Sequence, residues 1–177
     1  MPRINPVDFN RIDEKTSASL EAIRRKLGML PNLHATFAQS PTLLQAYLGF
    51  AETLGRGRLT LRQRELIALA LAQTNACQYC LSAHSLSSRG AGLSDAVVQA
   101  ARSGRAEEQQ EQALLSLALG MLEQRGRVSD ELLAAARSAG LDDGQILEVL
   151  GQVVLNLLTN FGNNLAQTRI DFPVVAL

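Results

Sequence analysis

The chain has 177 residues, 46% of them hydrophobic, which is ample for a packed core and far from a disordered composition. Lys plus Arg and Asp plus Glu balance at 17 each, so net charge gives no case for nucleic acid as a partner. The opening Met1-Pro2-Arg3-Ile4-Asn5-Pro6 has no apolar signal core, and no stretch reaches the roughly 18 uncharged apolar residues of a membrane span. Together these features point to a cytoplasmic protein with no membrane partner.

Helical spacing dominates and no alternating strand is found, so the expected fold class is all-α. Leu20, Ile23 and Leu27 mark a first helix closed by Gly28, and Pro31 opens a short one through about Ala38. Ser40-Pro41 is an N-cap followed by proline at the first helical position, and Gly55 ends the helix that carries Leu44, Tyr47 and Leu48. Thr60 and Gln63 form a capping box for a helix reaching Ala72 or slightly beyond. A helix then runs from near Cys77 to Gly90, and Ser94 caps another that ends at Gly104. A long helix is expected from about Ala106 to Arg125, a shorter one from Ser129 to before Gly140, and a last long one from Asp142 to about Thr168. The apolar tail, Ile170 to Leu177, is expected to pack on a neighbouring surface.

The sequence repeats itself at an offset of 48 residues: Leu66, Leu69, Ala70 and Leu71 recur as Leu114, Leu117, Ala118 and Leu119. Arg89, Ala91, Gly92, Leu93 and Asp95 recur as Arg137, Ala139, Gly140, Leu141 and Asp143. We read a duplicated three-helix unit within one domain spanning 1–177. Its parts are a helical N-terminal segment over about 12–55, a cysteine-bearing unit over about 59–104 and a second unit over about 106–168.

The chemistry concentrates in one stretch. Cys77 and Cys80 are the only cysteines, and His84 follows at the next turn. At i, i+3 and i+7 the three share a helix face, with His84 one turn from Cys80 and placed to take or give its proton. Glu65, on the preceding helix, reaches this cluster if the two helices pack antiparallel across Asn75-Ala76. In a reducing compartment a Cys-x-x-Cys points to redox or metal chemistry, not to a structural staple. A structural zinc would lack its fourth ligand, since His34 is distant in sequence. The last helix also carries Asn156, Asn160, Asn163, Asn164 and Gln167, an amide stripe read either as a solvated face or as an interface or active-site wall.

The pattern Glu65, Cys77, Cys80, His84 resembles the proton-relay and dithiol motif of the alkylhydroperoxidase D-like (AhpD-like) family, within the carboxymuconolactone decarboxylase superfamily. In helical layout the resemblance extends from about residue 30 to 170, and it departs at Tyr79, where better-studied members carry a second histidine. It implies an AhpD-like all-α fold, a homo-oligomer (trimer or hexamer), and no metal, haem or flavin cofactor. It further implies that Cys80 is the peroxide-attacking thiolate, Cys77 the more exposed resolving cysteine, and His84 and Glu65 the proton relay. The substrate would be a hydroperoxide, and the reductant a dithiol, in some relatives a lipoyl group. Competing readings are a redox sensor or scaffold that forms the disulfide without turnover, and a lactone decarboxylase, a branch that does not use the dithiol.

Overall fold

A computed structural model describes residues 1–177, and every regular element in it except a 3-10 turn at Phe9–Arg11 is an α-helix. The helices are α1 (Glu14–Leu27), α2 (Asn32–Phe37), α3 (Pro41–Gly55), α4 (Leu61–Thr74), α5 (Gln78–Gly90), α6 (Asp95–Arg102), α7 (Gln109–Glu123), α8 (Asp130–Ser138) and α9 (Asp143–Ala166). Their starts follow the local chemistry. Asp13, Ser40, Thr60, Ser94, Ser129 and Asp142 each accept a backbone N–H of the first turn, and Thr60 and Asp142 complete reciprocal capping boxes with Gln63 and Gln145.

Helix α4 is the axis of the fold. Every residue from Glu65 to Ala72 is buried, because α5, α6, α7 and α9 all pack around it. It joins two cores: Leu66, Leu69, Ala70 and Ala72 sit in one with the cysteines, while Ile67 and Leu71 sit in the other with Leu114, Leu117 and Val149. The starts of α4 and α6 recur as those of α7 and α9 at the repeat's offset, and the Arg89–Asp95 ion pair recurs as Arg137–Asp143.

Three expected boundaries differ. Helix α7 begins at Gln109 and not at Ala106, because the Gln112 side chain accepts from Ala106 N at 2.8 Å and donates to the Gly104 carbonyl at 3.1 Å, holding the preceding loop apart. Helix α9 stops at Ala166, where Gln167 turns left-handed. Cys77 precedes α5 as its N-cap instead of lying within it, and Ala76 before it is also left-handed at φ 49°. That turn closes α4 by a bond from Cys77 N to the Ala72 carbonyl at 2.9 Å and sends α5 back antiparallel.

The tail lies against its own chain. Val175 N donates to Ser82 Oγ at 3.0 Å, Gln78 Nε2 donates to the Val175 carbonyl at 3.2 Å, and Asp171 accepts from Asn32 N at 2.7 Å. Phe172 meets the Tyr79 ring edge-on, with centroids 5.5 Å apart. No helix is long and apolar enough to cross a membrane.

Candidate functional site: a disulfide at the wall of an apolar cavity

Cys77 and Cys80 are joined by a disulfide, with their Cα atoms 5.3 Å apart. The left-handed turn at Ala76 sets Cys77 at the mouth of α5, where its Sγ accepts from Cys80 N at 3.2 Å. The expectation that Cys77 is the more exposed cysteine does not hold within this chain: Cys77 is 0% exposed and Cys80 3%. The capping bond turns Cys77 into the core, and it is Cys80 that lines the cavity described below.

Antiparallel packing of α4 and α5 brings Glu65 to His84, as the short connection permits. His84 Nδ1 lies 3.0 Å from Glu65 Oε2, and the same carboxylate accepts from Ser87 Oγ at 2.9 Å and Ser88 Oγ at 3.2 Å. For Glu65, burial pushes the carboxyl upward, but the His84 charge and the three hydrogen bonds outweigh it and hold the group below its ordinary range. For His84, burial favours the neutral ring, yet the neighbouring carboxylate leaves its pKa raised. Each partner thus favours the charged form of the other. With Nδ1 committed to Glu65, the Nε2 of His84 has no hydrogen-bond partner in the protein and is the nitrogen free for a reactant.

The α9 amides resolve in favour of a wall. Asn156, Asn160 and Asn163 are buried, and Asn163 Nδ2 donates to Cys80 Sγ at 3.3 Å. Asn160 Oδ1 accepts from Asn75 Nδ2 at 2.9 Å, tying α9 to the turn that carries Cys77. The solvated-face reading applies only to Asn164 and Gln167, which are exposed. Apolar side chains take the outer face instead: Leu147, Phe161 and Leu165 are 65%, 57% and 64% exposed.

Cys80, His84, Glu65 and Asn163 share a cavity of about 530 Å³ with residues from α2, α3, α4, α9 and the tail. Several of its residues carried no sequence signal of their own. His34 lies on it, uncharged because burial draws its pKa down to about 4 against the pull of Asp171. Tyr79, where relatives carry histidine, accepts from Leu33 N at 3.1 Å, and burial drives its phenol far above the ordinary range. It therefore packs and braces and does not exchange protons at neutral pH. Ser87 and Ser88 had a readable signal, hydroxyls three and four residues after His84, on the side that faces Glu65.

The helical frame carries a Cys-x-x-Cys disulfide beside a carboxylate–imidazole pair. Solved structures agree on the fold. The AhpD core of a peroxidase-related protein from Ralstonia eutropha superposes with a TM-score of 0.87 at 22% identity, over 96% of this chain and 92% of that one. A peroxidase-related protein from Silicibacter gives 0.82 at 22% identity, over 94% and 91%. The debrominase Bmp8, also solved with 2,3,4-tribromopyrrole, gives 0.79 at 17% identity, over 95% and 91%. In sequence, residues 41–110 match the Carboxymuconolactone decarboxylase family. An uncharacterized protein of Haemophilus influenzae is 47% identical over 47 residues, a match that spans 26% of this chain and 42% of that protein's length. The chain has the AhpD-like fold, and its match to the Carboxymuconolactone decarboxylase family is confined to residues 41–110.

Proposed function

We propose that this chain is a thiol-dependent peroxidase that reduces hydroperoxides through the Cys77–Cys80 dithiol. The observation that carries the reading is a Cys-x-x-Cys disulfide whose Cys80 opens onto a cavity shared with a hydrogen-bonded His84–Glu65 pair. In the reduced protein, Asn163 Nδ2 supplies a donor to the Cys80 thiolate. The thiolate attacks one peroxide oxygen: an S–O bond forms, the O–O bond breaks, and the leaving alkoxide takes a proton from His84. Cys80 is then a sulfenic acid, having given two electrons to the peroxide. The Cys77 thiol loses its proton and attacks Cys80 Sγ, the S–S bond forms, the S–O bond breaks, and the departing hydroxide takes up that proton and leaves as water. An external dithiol, such as a lipoyl group on a partner protein, restores both thiols by two exchanges and is itself oxidised. Glu65 orients His84 throughout and favours its return to the protonated form after it has given its proton. Such a cycle suits the reducing cytoplasm.

The same proposal includes a homo-oligomer, a trimer or hexamer, assembled through α9. The exposed apolar side chains of α9 recur along one face, which is what a subunit interface buries. The tail gives less support, because it is laid on α5 of its own chain.

The test is peroxide consumption with several candidate dithiols. The parent should cycle, Cys80→Ser should be inactive, and Cys77→Ser should react once per subunit and stop at sulfenic acid. Full turnover by Cys77→Ser would overturn the assigned roles. Disulfide formation without turnover for any reductant would favour a redox sensor, and product release from a lactone would favour a decarboxylase.

A further inference from the structure

The cavity is larger than hydrogen peroxide requires. Its volume of about 530 Å³ lies in the range of roughly 300–1,000 Å³ that holds organic ligands. Its lining is mainly apolar, including Leu27, Met29, Leu33, Leu86, Leu155 and Phe172. Among the charged residues that line it, Glu65 and His84 are committed to each other.

That leaves Arg64 as the permanent cation of the lining. Its neighbours in sequence are satisfied: Arg58 is held by Asp142 and Arg62 by Glu111. Arg64 has no carboxylate partner, and its hydrogen bond within the protein goes from Nη1 to the Leu59 carbonyl. The rest of a guanidinium fork made for bidentate carboxylate binding remains available. The uncharged His34 adds no second cation to the cavity.

Arg64 and Cys80 lie toward opposite ends. Arg64 precedes Glu65, which binds Ser87 and Ser88 near the C-terminal end of α5, while Cys80 lies in its first turn. The seven residues from Cys80 to Ser87, at 1.5 Å each, separate the two ends by about 10 Å. The polar wall of α9 runs the same way, from Asn163 beside Cys80 back to Gln152.

We propose that the cavity takes a hydroperoxide carried on a medium-length apolar chain with a carboxylate at the other end, the carboxylate bound by Arg64 and the peroxide presented to Cys80. A span of about 10 Å corresponds to roughly eight bonds of an extended chain, taking three backbone bonds per 3.3–3.6 Å. The substrate class is thus a monocarboxylate of about octanoic length, an amphiphile and not a small inorganic peroxide. Arg64 is its specificity-determining residue. The proposal rests on the peroxidase reading for the peroxide end only; the carboxylate end stands on Arg64 and the cavity.

Binding separates the two. The disulfide form, which cannot react with peroxide, is titrated with octanoate and with octanol by calorimetry, in the parent, Arg64→Gln and Arg64→Lys. Octanoate should bind the parent at least tenfold more tightly than octanol, Arg64→Gln should erase the preference, and Arg64→Lys should keep part of it. Equal binding of acid and alcohol by the parent, a comparison that needs no variant, overturns the proposal. So does a preference that survives Arg64→Gln. The reduced protein is then given the terminal hydroperoxide of octanoic acid and its methyl ester. The acid should be turned over with kcat/KM at least tenfold higher, mostly through KM, and a higher value for the ester overturns the presentation to Cys80. A carboxylate preference in binding with no turnover of either would retain the Arg64 site and reject the peroxidase reading.

Discussion

Glu65→Gln tests the charged pair at the centre of the site. The Glu65 carboxylate takes three hydrogen bonds, from His84 at 3.0 Å, Ser87 at 2.9 Å and Ser88 at 3.2 Å, and its side chain is only 9% exposed. Glutamine keeps the shape and one acceptor oxygen, so what is lost is the charge-assisted part, about 1.5–3 kcal/mol for such a bond. At about 2–4 °C per kcal/mol for a chain of this size, Tm should fall by about 3–12 °C. The loss should depend on pH in a defined way. Glu65 sits below its ordinary value of 4.5 in the folded protein, so its contribution is complete above that value and is lost as pH falls through the lowered one. His84 sits above its ordinary value of 6.5, so its contribution is complete below that value and is lost as pH rises through the raised one. The stability gap between parent and variant should therefore be widest between the two ordinary values, 4.5 and 6.5, and narrow toward alkaline pH. Urea denaturation across this range measures it, alongside peroxide reduction, which should slow by roughly 10²-fold or more if the pair relays protons. A gap that stays flat or widens with rising pH would refute the charged pair. An unchanged rate would remove Glu65 from the chemistry and leave it a structural residue.

Three further outcomes follow from particular contacts. Asn163→Leu removes the amide that donates to Cys80 Sγ, and the thiolate population of Cys80 in Cys77→Ser protein should drop about tenfold at a given pH, read by ultraviolet thiolate absorbance. Gly162→Ala would bring a Cβ within 2.6 Å of the Phe37 ring, so thermal unfolding should show a loss of about 1–3 kcal/mol from overpacking. The pair Phe161→Glu and Leu165→Glu changes two exposed residues, so light scattering should show smaller assemblies while circular dichroism keeps the helical signal; a mass equal to the parent's would exclude this face as the interface.

The sequence by itself determined most of the frame. Helix starts at Ser40, Thr60, Ser94, Ser129 and Asp142 were legible because a capping side chain acts on the backbone two or three residues away, a local interaction independent of the rest of the fold. The grouping of Glu65 with Cys80 and His84 was legible for a related reason: a three-residue connection leaves α4 and α5 little choice but to return antiparallel. Tertiary structure decided what faces what. Alternation of apolar and amide residues along α9 gives two stripes, and nothing local says which turns inward. Packing against α4 and α5 buried the amides beside Cys80 and left Phe161 and Leu165 outside. The exposure of Cys77 was decided in the same way, by a left-handed turn at Ala76 and a capping bond that turn its sulfur into the core. Arg64 and His34 acquired meaning only when helices distant in sequence closed a cavity around them. A site is set by long-range packing, and the spacing of its residues in the chain records only the part that one helix pair supplies.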